Sequence, residues 1–141
     1  MHGQQHEIFA LWTAALELEA EYQEQAHIDR LIIPAQRAGW TPQGVYVHIT
    51  GDELQRIQFD NYDNRQRSIV QLHTHPTRDV RMSLLDRKWE VVAHTGALSI
   101  IIPDYCAHGL CLANGANVYE REEDDWRLWS AREAAERIVL T

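Results

Sequence analysis

Two imidazoles and a carboxylate fall within one short stretch of the chain, His73-Thr74-His75-Pro76, then Ser83, then Asp86. Catalytic zinc centres take three protein ligands of these types and keep a fourth position for water. His73, His75 and Asp86 meet that count. Water held in this way ionises near neutral pH and attacks a carbonyl. A neighbouring carboxylate is still needed to take the proton and return it. Ser83 lies close enough to Asp86 in sequence for its hydroxyl to hydrogen-bond a developing oxyanion. The expected chemistry is hydrolysis assisted by Zn2+.

Each half of the pattern has a plain structural meaning. Ser83-x-x-Asp86 alone is an ordinary capping box at a helix N-terminus. His-x-His alone says little, but the two together at this spacing point to a metal, and a helix N-terminus can both be capped and carry a ligand. Other His-x-His chemistries fit less well. A cupin wants a glutamate three or four residues after the second histidine, where this chain has Asp79 and Val80. Amidohydrolase barrels need far more chain, and the Pro-Cys-x-x-Cys of a zinc deaminase is absent.

The elements that must position these groups follow from periodicity. Ser68 to His73 alternates apolar and polar residues as a strand, which puts His73 and His75 on one side of an extended segment. Pro76 turns the chain, and a helix from Ser83 to about His94, stopping at Gly96, returns the carboxylate. Ile8, Leu11, Trp12, Ala15, Leu18 and Tyr22 recur at helical spacing and predict a first amphipathic helix over Glu7 to Gln25, with Glu17, Glu21 and Glu24 outward. Ile28 to Pro34 and Val45 to Ile49 read as strands, with Ala35 to Gly44 a short connecting stretch. Thr50 with Glu53 opens a helix through about Asn61, and Ser130 with Glu133 opens the C-terminal one. Leu98 to Ile102 is a central strand, and Asn117 to Glu120 pairs with Trp126 to Trp129 across an acidic turn. Strands between helices predict an α/β or α+β sandwich, one domain over residues 1–141.

Composition narrows the partners. A formal net charge of -8 without a Lys/Arg block argues against nucleic acid. No apolar run is long enough to cross a bilayer, and no secretion signal opens the chain, so a membrane is not expected. With only two cysteines, the cytoplasm is the expected compartment. Cys106-Ala-His108-Gly-Leu-Cys111 lacks the pair that would complete a second tetrahedral site and reads as packing. His94 reads as a cation near a helix C-terminus. Trp12, Trp89, Trp126 and Trp129 read as core; for Trp40, in a loop between Gly39 and Pro42, exposure for a partner is the alternative to packing.

The motif His73-Thr74-His75-Pro76, seven further residues to Ser83, and Asp86 resembles the signature of the prokaryotic JAB/JAMM (MPN-like) metalloproteases. The run Leu98-Ser99-Ile100-Ile101-Ile102-Pro103-Asp104-Tyr105, the Val118-Tyr119-Glu120 to Trp126 hairpin and Ile32-Ile33-Pro34-Ala35-Gln36 are also similar to that family, so the likeness covers most of the chain. The resemblance implies a cytidine-deaminase-like three-layer α/β/α sandwich with a mixed central sheet and one zinc ion on His73, His75 and Asp86. It implies, in the manner of a deubiquitinase, cleavage of a peptide or isopeptide bond after the C-terminal tail of a ubiquitin-like protein. Conjugation-pathway enzymes, some in antiviral defence, are its implied partners. The family carries its general-base glutamate just after the first helix, at the start of a strand that continues with small and apolar residues and a glycine. That block is missing from the expected place, and Glu24 falls nearest, with Glu21, Glu19 and Glu17 as alternatives. A scaffold subunit that keeps zinc but cleaves poorly is the second expectation. The short Ala35 to Gly44 and Asp104 to Asn117 segments imply a small clamp that grips an extended tail by strand addition.

Overall fold

A computed structural model describes residues 6–16, 26–42, 44–110, 112 and 115–139. Its elements run β1 (Phe9–Ala15), β2 (Ile28–Ile32), β3 (Arg37–Thr41), β4 (Gly44–His48), α1 (Gly51–Asp63), β5 (Gln66–Thr74) and α2 (Leu84–Lys88). Then follow β6 (Leu98–Ile102), a 3-10 turn (Asp104–Cys106), β7 (Asn117–Arg121), β8 (Trp126–Leu128) and α3 (Ala131–Arg137).

The first element is a correction. Helical spacing predicts a helix from Glu7, but Phe9–Ala15 is a strand paired on one side with β2 and on the other with β5. Phe9 and Leu11 enter one apolar layer while Ala10 and Trp12 pack against the other. A strand buried on both faces needs apolar residues at nearly every position, so it loses its period of two and can mimic a helical repeat. Glu17, Glu19, Glu21 and Glu24 lie outside the described residues.

Six strands form one sheet in the order β2-β1-β5-β6-β7-β8. The β5–β6 pair is parallel and the other pairs are antiparallel, so the sheet is mixed. Ile57 of α1 packs with Leu11, Ile101 and Tyr119 on one face. Ala134 of α3 packs with Ile100, Val118 and Trp129 on the other. The result is an α/β sandwich. Among the described residues, no helix is long and apolar enough to cross a membrane.

The expected helix starts hold, although their details differ. Thr50 caps α1 by accepting from the Glu53 amide. The Glu53 carboxylate does not close a box; it accepts from the Ala35 amide and from Arg56. Ser130 and Glu133 form the full reciprocal cap of α3. Ala35 to Gly44, expected as a loop, contains β3, which pairs with β4 in a separate hairpin. Trp40 is 76% exposed, the alternative to packing, and it sits on that strand and not in a loop. Its neighbour Gly39 is required by shape, since a Cβ there would fall 2.2 Å from the Tyr46 ring lying across it.

The helix expected to run to His94 ends at Lys88. Continuing it would require the Val91 and Val92 amides to reach back four residues, but both donate to the Gln71 side chain at 3.0 Å. His94 is therefore not at a helix end; its Nε2 donates to the Ser68 carbonyl at 3.0 Å. Trp126 and Trp129 are buried as expected, whereas Trp12 and Trp89 are only partly so.

The segment that leads into α2 is fastened by β7. The Tyr119 hydroxyl accepts from the Met82 amide at 3.1 Å and donates to the Val80 carbonyl at 3.3 Å. Replacing Tyr119 with Phe orphans a partly buried amide, so it should lower unfolding free energy by about 1–2 kcal/mol. Urea titration checks this, and an unchanged midpoint would mean the hydroxyl fastens nothing.

Candidate metal centre

The paired histidines stand at the C-terminal end of β5, where its parallel ladder with β6 finishes. That ladder runs one residue past the strand, with the His75 amide donating to the Ile102 carbonyl at 2.8 Å. The His75 carbonyl in turn accepts from Tyr105 at 2.9 Å. Asp104, Tyr105 and Cys106 hold this turn with φ of 53°, 52° and 62°, a conformation that side chains other than glycine adopt at a cost of about 1–3 kcal/mol each. Asp86 comes from the first turn of α2. The Ser83 hydroxyl accepts from the Asp86 amide at 3.0 Å, and the Asp86 carboxylate accepts from the Ser83 amide at 2.9 Å.

His73, His75 and Asp86 converge. His73 Nε2 lies 3.1 Å from His75 Nε2 and 3.2 Å from Asp86 Oδ1, and His75 Nε2 lies 3.1 Å from Asp86 Oδ2. Both imidazoles are buried, and the aspartate side chain is 11% exposed. His75 Nδ1 donates to the Asp79 carbonyl at 2.8 Å. A neutral His75 must therefore turn a lone pair, not a proton, toward the Asp86 carboxylate. The arrangement wants a positive charge at its centre.

The electrostatic surroundings carry the same demand. Burial by itself would lower the pKa of His75, but hydrogen bonds to Asp86 and Asp79, with the charges of Asp86 and Glu7, raise it overall. Burial by itself would raise Asp86, yet the bonds from His73 and His75 hold its carboxyl far below the usual range. Two nitrogens and a carboxylate oxygen, with one ring nitrogen fixed by a backbone carbonyl, form a donor set suited to a divalent ion. Among the described residues this is the one group of three or more His, Cys, Asp or Glu side chains that could hold one. Cys106 is half-buried against the second apolar layer, and Cys111 lies outside the described residues.

A fourth chemical group was missed by the sequence reasoning. Glu7 is 5% exposed and lines a small cleft with His73, Asp86, Gln71 and Tyr46. Phe9 pairs with His73 in antiparallel register, the Ile8 amide donates to the Thr74 hydroxyl, and continuing that register sets Glu7 opposite His75. The Gln36 amide fixes the strand's entry by bonding the backbone of Phe9 at 2.6 and 2.9 Å. Burial pushes the Glu7 pKa up to about 7, the His75 charge opposing and the Asp86 charge adding. The signal available in the sequence was a single acid directly ahead of the apolar run Ile8 to Trp12. On the helix expected over that run, Glu7 would be no more than a first-turn acid.

A buried cluster of two histidines and a carboxylate at the end of a sheet strand, with a buried glutamate in the same cleft, could hold a metal ion in the manner of a metal-dependent hydrolase. The chain is 34% identical to the curated protein "Probable metalloprotease y4jG" of Sinorhizobium fredii (strain NBRC 101917 / NGR234), in an alignment of 142 residues covering 99% of this chain and 83% of that protein. It belongs to that metalloprotease family. No protein-family model matches the chain.

Because the Glu7 pKa is raised, the metal-free fold prefers its neutral form, and stability falls as pH rises from 4.5 through about 7. Glu7→Gln removes that penalty. In chelator, the variant should be more stable than the parent at pH 8 and equal to it near pH 4 in urea titrations. A gap that is the same at both pH values would mean that Glu7 does not titrate in this way.

Proposed function

We propose that the protein is a zinc-dependent peptidase of the JAB/JAMM type that cleaves the peptide or isopeptide bond after the C-terminal tail of a ubiquitin-like protein. The observation that carries this reading is Glu7, a buried carboxylate sharing a cleft with His73 and Asp86. It lies two residues ahead of β1, close to the strand start that the family resemblance gives a general base, although no described helix precedes it and Ile8-Phe9-Ala10-Leu11 lacks the family's glycine. Glu7 takes the place first assigned to Glu24.

His73, His75 and Asp86 would hold the ion. A bound zinc ion supplies Lewis acidity, which brings the ionisation of water near neutral pH. Glu7, with a pKa near 7, is suited to accept a proton from water and return it to the departing amine. The Ser83 cap uses only the hydroxyl oxygen, which leaves the hydroxyl proton for an oxyanion. The Tyr46 ring and Trp89, 5.2 Å apart edge to face, wall the cleft. A small cleft of this kind suits an extended tail better than a folded surface. The scaffold reading rested on a missing glutamate, and Glu7 removes that ground.

The test uses zinc-loaded protein and a ubiquitin-like protein carrying a fluorogenic group on its C-terminus. Glu7→Gln should keep about one zinc per chain and lose about 10²–10⁴-fold in kcat/KM. Asp86→Ala should lose the zinc itself. Full activity in Glu7→Gln removes Glu7 as the base, and a zinc-loaded parent that cleaves nothing restores the scaffold.

A further inference from the structure

Asp86 is carried by a helix that cannot support itself. α2 spans Leu84–Lys88 and buries none of its own residues. A helix this short is unstable without tertiary support. On its N-terminal side, the Tyr119 hydroxyl and the Asn117 amide fasten Val80 and Met82. On its C-terminal side, the chain leaves the helix at Trp89, and the next backbone anchor is Gln71.

Gln71 is 2% exposed and lies two residues before His73 on the same face of β5. Its Oε1 accepts from the Val91 and Val92 amides, both at 3.0 Å. Its Nε2 donates to the hydroxyl of the fully buried Ser99, its register partner on β6, at 3.1 Å. One side-chain amide thus ties the strand bearing both imidazoles to the segment that ends the helix bearing the carboxylate. Two backbone N–H groups close the tie; beside it, side-chain bonds from the Trp126 indole to Glu90 and from Arg87 to Asp125 hold the same end to β8 and its turn, but only Gln71 joins it to the strand of the histidines.

We propose that Gln71 is a positioning residue for the metal centre: by clamping Val91 and Val92 it holds Asp86 at the correct distance from His73 and His75. This rests on the reading that those three side chains hold a divalent ion. Loss of the clamp frees α2 to drift, so part of the binding free energy goes into re-ordering it, and the affinity of the triad falls although Gln71 does not touch the ion.

Zn2+ alone is the probe, titrated in competition with a chromogenic chelator at a pH and temperature where each variant is folded. Gln71→Met keeps the length and removes both kinds of hydrogen bond; it should weaken zinc affinity about tenfold or more. Ser99→Ala removes only the Nε2 partner and should leave zinc affinity unchanged. Urea titration in chelator reports structural damage separately. A role confined to stability would lower the midpoint and leave the affinity of the folded protein unmoved, and that result overturns the proposal. If Gln71→Met does not fold, amide exchange of the parent decides. By linkage, Zn2+ should slow exchange at Val91 and Val92 more than at β7. Equal slowing at both, or none, overturns the proposal. A parent that binds no Zn2+ overturns the metal reading itself, an outcome distinct from a bound metal whose affinity ignores Gln71.

Discussion

The structure turns on two imidazole nitrogens and the two oxygens of one carboxylate, neighbours 3.1–3.2 Å apart and away from bulk water. Such electron-rich groups repel one another at that separation unless a proton or metal ion lies among them. In water the repulsion would be screened; in a buried site it is not. The fold must therefore force the groups together until a cation arrives. His75 illustrates this, because its Nδ1 proton is committed to Asp79 and its other nitrogen has only acceptors to face.

That force comes from backbone geometry more than from side-chain packing. The parallel β5–β6 ladder extends to His75 and fixes the direction of both rings. The left-handed turn Asp104–Cys106 is costly in itself, yet its Asp104 and Tyr105 amides bind the Thr77 and His75 carbonyls. The reciprocal Ser83–Asp86 cap does a similar job for the carboxylate, fixing its oxygens while it stabilises the helix start. Ser83-x-x-Asp86 therefore needs no choice between cap and site. Both follow from the same pair of bonds.

How much of this could be read from sequence depended on whether a signal was local. The capping serines and threonine announced α1, α2 and α3, because a cap needs only four residues to show itself. His-x-His followed by Ser-x-x-Asp announced the metal cluster for the same reason. The length of α2 was hidden, because what stops it is a glutamine far back in the chain. The nature of β1 was hidden too. Ile8, Leu11, Trp12 and Ala15 repeat like a helix only because β1 is covered on both faces and flanked on both edges, which a sequence window cannot see. β3 was missed since its Ala38-Gly39-Trp40 core has little strand propensity, and its pairing depends on Gly39 leaving room for Tyr46.

Mistaking β1 for a helix had a chemical consequence, which shows why the secondary structure and the site must be argued together. On a helix, Glu7 would be one more acid in a first turn; on a strand in register with β5, it is the residue opposite His75. Glu7 continues the inward face of Phe9 and Leu11, and burial there lifts its pKa toward neutrality. A glutamate in open water would be fully ionised at pH 7 and a weak base for a proton of similar acidity. A buried one is matched to the task, at a cost in stability that the metal-free fold must bear. What hides the strand in the sequence is its other face, where Ala10 and Trp12 are also apolar and partly covered. The site's chemistry and the strand's illegibility therefore come from opposite faces of β1: one buries Glu7, and the other is too apolar to show a period of two.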